Sequence, residues 1–112
     1  MNAMEKWHHD HHRCHQIASE VCRVCHVTMQ DLTSRRRDKD TVNARQMYFW
    51  IARNKTGASF PHMAQIIEKD HSTAINAIKL SRHRFNERDW IVKLEEALHR
   101  LGYHHSQGGT NG

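Results

Sequence analysis

Apolar residues recur at three- and four-residue steps at Ile17, Val21, Val24, Cys25 and Val27, the spacing that lines one face of an α-helix. A first helix over about 12–25 is predicted. A second, longer stripe runs through Ala44, Met47, Tyr48, Ile51 and Ala52, with Asn43 as its expected N-cap and Lys55, Thr56 and Gly57 as stop signals. That helix should be central to the core. Ser59-Phe60-Pro61 then opens a short helix over about 61–68, because proline is tolerated in a first helical turn. Asp70 or Ser72 caps a further helix to about residue 84, with Ala74, Ile75 and Ile78 inward and Ser72, Asn76, Lys79 and His83 along the opposite edge. Trp90, Leu94, Ala97, Leu98 and Leu101 mark a last helix, entered through an expected Asn86/Asp89 capping box and stopped by Gly102. No alternation of period two marks a strand. The pattern predicts an all-α protein, a compact helical bundle containing a helix-turn-helix.

Outside these stripes the polar stretches divide the chain. Residues 1–16 carry His8, His9, His11, His12 and His15 with almost no aliphatic content, and read as a flexible histidine-rich segment. Residues 104–112 end in Gly-Gly-Thr-Asn-Gly and read as a flexible tail, which leaves 17–103 as the folded domain. A short turn or helical fragment is expected around Asp31-Leu32 and Ser34, followed by an exposed charged loop from Arg35 to Asp40.

Charge sharpens the picture. Lys plus Arg outnumber Asp plus Glu by 17 to 12, a formal +5 that suits a polyanionic partner. Between residues 34 and 55 stand Arg35, Arg36, Arg37, Lys39, Arg45, Arg53 and Lys55, against only Asp38 and Asp40. No stretch is long and apolar enough for a membrane span, and an odd cysteine count without an apolar leader argues against a secreted disulfide scaffold. The expected compartment is the cytoplasm, at the nucleoid, and the expected state is a monomer.

A short helix, a tight turn and a second helix with a polar outer edge form the pattern that places the second helix in a DNA major groove, although helix pairs that bind nothing share it. The residues go further. Asp70-His71-Ser72-Thr73-Ala74 resembles the Asp-His-Thr-Thr-Val signature of the C-terminal DNA-binding domain (domain IV) of the bacterial replication initiator DnaA family. Ser34-Arg35-Arg36-Arg37 is similar to that family's basic loop, Ala44-Arg45-Gln46-Met47 to its Ala/Pro-Arg-Gln-Met helix start, and Ser59-Phe60-Pro61 to its Ser-Leu-Pro. Four motifs in order cover most of 17–101 and imply a stand-alone relative of that domain, with a Trp-repressor-like helix-turn-helix and double-stranded DNA as partner.

The resemblance implies a division of labour. Arg37 would enter the minor groove, where a cation is drawn to the negative A·T-rich floor. Asp70, His71, Ser72, Thr73 and Asn76 would face base edges: Asp70 accepts from a cytosine amino group and the Thr73 methyl packs on thymine. Arg35, Arg36, Arg45, Arg53, Lys55 and Lys79, with the helix start at Pro61, would hold phosphates. Asp70 and Ser72 also have a purely structural role open to them, helix capping, and Arg35 to Arg37 could be a solvated charge run. The family's usual glycine pair before the signature is replaced by Glu68-Lys69, and Asn76 and Lys79 differ from common contact residues. No Gly-rich phosphate loop of the Walker type occurs, so the initiator's ATPase activity is not implied and no cofactor is expected.

The cysteines and histidines allow rival readings. Cys22-Arg23-Val24-Cys25-His26 fits the c-type haem attachment pattern, and Cys22, Cys25, His26 and the N-terminal histidines could instead bind zinc or copper. Haem attachment goes with export, and Cys25 fits the apolar helix face as a small hydrophobe, so neither haem nor a metal is assigned. No nucleophile comes with an oxyanion-hole context, so no catalytic residue is assigned either. The other rival is an initiator-interacting regulator like the small HdaB-type proteins, acting on a replication initiator through Trp7, the histidine-rich segment or the surface around Trp90.

Overall fold

Asn2 accepts a hydrogen bond from the Glu5 N–H at 2.8 Å while the Glu5 carboxylate accepts from the Asn2 N–H at 2.9 Å, and this capping box starts the first helix far earlier than the apolar pattern predicts. The computed structural model describes residues 1–103 of the 112-residue chain; the predicted tail at 104–112 lies outside them. Helix α1 runs Ala3–Cys25. The expectation of a flexible segment at 1–16 is therefore corrected. What aliphatic side chains do not supply there, charge and ring contacts do: Lys6 donates to Asp10 at 2.6 Å and to the Gly57 carbonyl at 2.8 Å. Trp7 stacks on His62, and both Asp10 and Cys14 are buried.

The other elements are α2 (Met29–Thr33), α3 (Lys39–Lys55), α4 (Phe60–Ile66), α5 (His71–Ser81), a 3₁₀ turn (Arg82–Asn86) and α6 (Arg88–Arg100). Their caps explain their limits. His26 turns left-handed at the end of α1, with φ 58°, and Thr28 and Asp31 form a second capping box that starts α2. Helix α3 is capped by Asp38, not by the expected Asn43; the Asp38 carboxylate accepts from both the Thr41 N–H and the Thr41 hydroxyl, adding a turn to the helix. Asn43 lies inside α3, where its carbonyl accepts from Trp90 Nε1. The expected Asn86/Asp89 box does not form either: α6 follows Glu87 without a side-chain cap, because the 3₁₀ turn draws the chain into its start.

Helix α3 packs against every other helix. Its Ala44, Met47, Tyr48, Ile51 and Ala52 are fully buried as the stripe predicts, joined by Phe49. Helix α5 approaches α3 through Ala74 and Ala77, whereas Ile75 and Ile78, expected inward, are only half-buried. Small side chains on the contact face bring the helix close and push its larger residues to the rim. Trp90 belongs to the core and touches Phe85, which in turn meets Trp50. None of the described helices is long and apolar enough to cross a membrane.

Candidate nucleic-acid interface

Helices α4 and α5 are joined by four residues, Ile67, Glu68, Lys69 and Asp70, whose geometry is set by the end of α4. The Lys69 N–H returns to the Ala64 carbonyl at 2.9 Å and the Glu68 N–H to Gln65 at 3.0 Å, with Glu68 left-handed at φ 58°. Asp70 then caps α5. One of its oxygens, Oδ1, accepts from the Thr73 N–H (2.9 Å), the Thr73 hydroxyl (2.9 Å) and the Ser72 hydroxyl (2.8 Å). The Thr73 N–H, then the two hydroxyls, pull its pKa down to about 2, so Asp70 is a carboxylate throughout the neutral range. Capping occupies Oδ1 alone, and Oδ2 has no hydrogen bond among the described residues.

His71, Ser72, Asn76 and Lys79 are exposed along α5, and Thr73 is half-buried. Asn76 and Thr73, with Leu80, line an open groove of about 540 Å³. Ser34, Arg35 and Arg37 line the same groove, together with Arg45 and Lys69. The structure thus brings the arginine loop and the outer edge of α5 to the same depression. Arg35 and Arg37 are exposed and make no ion pair or hydrogen bond among the described residues, so their charge is available to solvent or a ligand.

The remaining predicted contacts sort differently. Arg36 is bound to Asp31 (3.3 Å) and Asp38 (2.9 Å). Arg45 is turned inward: Nε donates to the Leu32 carbonyl at 3.0 Å, Nη2 to Asp31 at 3.0 Å and Ser34 at 2.7 Å, and Nη1 to Arg36. A guanidinium has five N–H donors, and four hydrogen bonds of Arg45, the expected phosphate contact, go here to the protein's own carbonyls. Its effect is to hold the loop that carries Arg35 and Arg37. Arg53 lies over the Phe60 ring and Lys55 near the Tyr103 ring. Lys55 and Pro61 face depressions against the first turns of α1, outside the groove.

Lys69 was not legible as a site residue. Its Nζ donates to the Thr33 carbonyl at 3.2 Å and the Ser34 carbonyl at 2.5 Å, and burial, then the neighbouring Arg45 and Arg35, lower its pKa. A lysine next to an N-cap residue is the one signal that could have pointed to it. Gln46, also in the groove, accepts from Arg84 at 2.7 Å.

The Cys22–His26 motif is absorbed by α1: both cysteines are buried with free thiols, and His26 is the helix C-cap. Burial pushes the thiols of Cys22 and Cys25 up to about 11, which keeps them protonated. Among the described residues no group of three or more His, Cys, Asp or Glu side chains is placed to hold a metal ion.

The sequence profile of the bacterial dnaA protein helix-turn-helix matches residues 14–80, from within α1 to the last turn of α5. The chain belongs to this family. Among similar proteins, the chromosomal replication initiator protein DnaA of Caldanaerobacter subterraneus subsp. tengcongensis is 33% identical over 89 residues, 78% of this chain and 20% of that protein. The DnaA of Enterococcus faecalis is 40% identical over 63 residues, 55% of this chain and 14% of that protein. That of Thermoanaerobacter pseudethanolicus is 29% identical over 82 residues, 73% of this chain and 18% of that protein. The chain spans about one fifth of the length of these curated DnaA relatives or less. What it shares with them is the DnaA helix-turn-helix, a DNA-binding module. The first turns of α1 and all of α6 lie outside the profile match.

Proposed function

We propose that this chain binds double-stranded DNA sequence-specifically, at sites like the DnaA box, and acts in replication initiation or its regulation. The observation that carries the reading is that Arg37 shares one open groove with Thr73 and Asn76. In this reading α5 lies in the major groove. Asp70, through Oδ2, accepts from a cytosine amino group, while His71, Ser72, Thr73 and Asn76 face neighbouring base edges. Arg37 enters the adjacent minor groove, where its unpaired guanidinium meets the negative floor. Arg35 and Lys79 hold phosphates on either side, with the outer rim of Arg53, Lys55 and the α4 start at Pro61 contributing charge or backbone donors farther out.

Titration of a DnaA-box duplex and a scrambled duplex over a salt series tests it. Tighter binding to the box should persist on top of a shared slope of about −0.9 per neutralised phosphate. Equal, weak binding to both duplexes would refute sequence reading and favour a regulator that acts through a protein partner.

A further inference from the structure

We infer that Lys69 is a positioning residue that sets the offset between the arginine loop and α5, and thereby determines discrimination at the base pairs that Arg37 reads. The inference deepens the DNA-binding reading and rests on it for its consequence, though not for its geometry.

Helix α2 packs on α1 and α3 but on neither α4 nor α5. Across that gap, the two hydrogen bonds from Lys69 Nζ to the Thr33 and Ser34 carbonyls are the only ones that join residues 28–38 to residues 60–81 among the described residues. Both ends of the lysine are fixed. Its N–H is held by Ala64 at the end of α4, its neighbour Asp70 caps α5, and its ammonium sits on the orphan carbonyls at the end of α2. A carbonyl oxygen has two lone pairs, and Ser34 uses them for two cations, Lys69 at 2.5 Å and Arg45 at 2.7 Å.

The two cations have separate effects. Arg45 comes from α3, so it shapes the loop against the core. Lys69 comes from the helix-turn-helix itself, so it sets the distance between the loop and the recognition helix. A loop held only by Arg45 would open more often and lose its register with α5. Arg37 would then sample positions along the minor groove instead of one, and a base preference read there would blur.

The test uses Lys69→Met, which keeps the aliphatic stem and removes the donors, and Lys69→Arg, which keeps a cationic donor. In the DNA-free proteins, hydrogen exchange at the Ser34 and Arg36 amides should be about tenfold faster in K69M, with α5 amides and the thermal midpoint close to wild type. K69R should restore the slow rate. In binding to a DnaA-box duplex, the base pairs at which Arg37→Ala loses discrimination define the loop end of the site. There K69M should lose about tenfold in discrimination while keeping it at the α5 end, with an unchanged salt slope, and K69M in an R37A background should cost nothing more at that end.

Unchanged exchange at Ser34 and Arg36 would overturn the inference. So would an equal loss on box and scrambled duplexes with a slope smaller by about 0.9, which would make Lys69 a phosphate contact. Failure of the wild-type protein to distinguish the two duplexes would refute the DNA-reading proposal instead, and the exchange measurement would still decide whether Lys69 holds the loop.

Discussion

Nδ1 of His11 lies 3.2 Å from Nε2 of His62, and Trp7 stacks across both rings. The ring centroids are 5.4 Å apart, close to the N···N contact plus two ring radii, so the two nitrogens point at each other. That is an N–H···N hydrogen bond, and it needs at least one of the two nitrogens unprotonated.

The pair makes stability pH-dependent. Burial, then His15 and His8, lower the pKa of His11; burial, then His11 and Lys6, lower that of His62, with Asp10 opposing. Unfolded imidazoles titrate near 6.5, so below about that pH the unfolded chain binds more protons than the folded one. Stability is then complete above about 6.5 and falls as the pH drops towards the lower folded values. The urea midpoint, followed by tryptophan fluorescence, should decline as the pH falls below about 6.5, and His62→Gln should flatten that decline. Parallel curves for the two proteins would rule the pair out as its source.

Tyr48 is fully buried, and its hydroxyl donates to the Met63 carbonyl at 2.6 Å. The end of α4 is tightened there: the Ile67 N–H turns to Ala64 and Gln65, leaving Met63 to the tyrosine. Tyr48→Phe strands a buried acceptor and should cost about 1–3 kcal/mol in chemical denaturation. DNA affinity at a temperature where the variant is folded should stay at the wild-type value.

Glu68 holds a left-handed backbone, φ 58°, in the turn before the recognition helix. Glycine has no Cβ to strain at this position, while its greater freedom in the unfolded chain offsets part of the gain. Glu68→Gly should stabilise the fold by about 0.5–1 kcal/mol, read as a rise in thermal midpoint. A fall would show that the Glu68 side chain contributes more than its backbone costs.

Arg37 and His71 are exposed, so replacing them should leave the fold alone. Arg37→Ala and His71→Ala should each weaken the complex with a DnaA-box duplex by roughly 1–3 kcal/mol, with circular dichroism unchanged. Unfolding of either variant would assign that residue to structure.

All three cysteines are buried, and burial raises each thiol's pKa. A thiolate is the reactive form, so a disulfide reagent at neutral pH should show no fast phase with the native protein and full reaction in denaturant. One rapidly titrated thiol would reopen a redox or metal-binding role.

The central helix, the turn and the Asp70 cap were legible because each rests on a local rule: a buried stripe of period 3.6 in α3, Pro61 in a first turn, an acceptor side chain before α5. The first turns of α1 were not. Their anchors are Trp7 on His62 and Lys6 on the Gly57 carbonyl, partners about fifty positions away that no periodicity encodes. Asp38 and Asn43 are both good N-caps by type, and only the bonds to Thr41 decide between them. Arg45 shows the deepest ambiguity, since a guanidinium suited to phosphate oxygens is equally suited to peptide oxygens, and composition cannot say which it meets.

That inward turn of Arg45 has a thermodynamic consequence. With its backbone already gripped in the free protein, the arginine-bearing segment undergoes no coil-to-ordered transition on meeting a duplex. Association is then close to rigid docking, and its heat-capacity change reflects only the surface brought into contact, without the added signature of coupled folding.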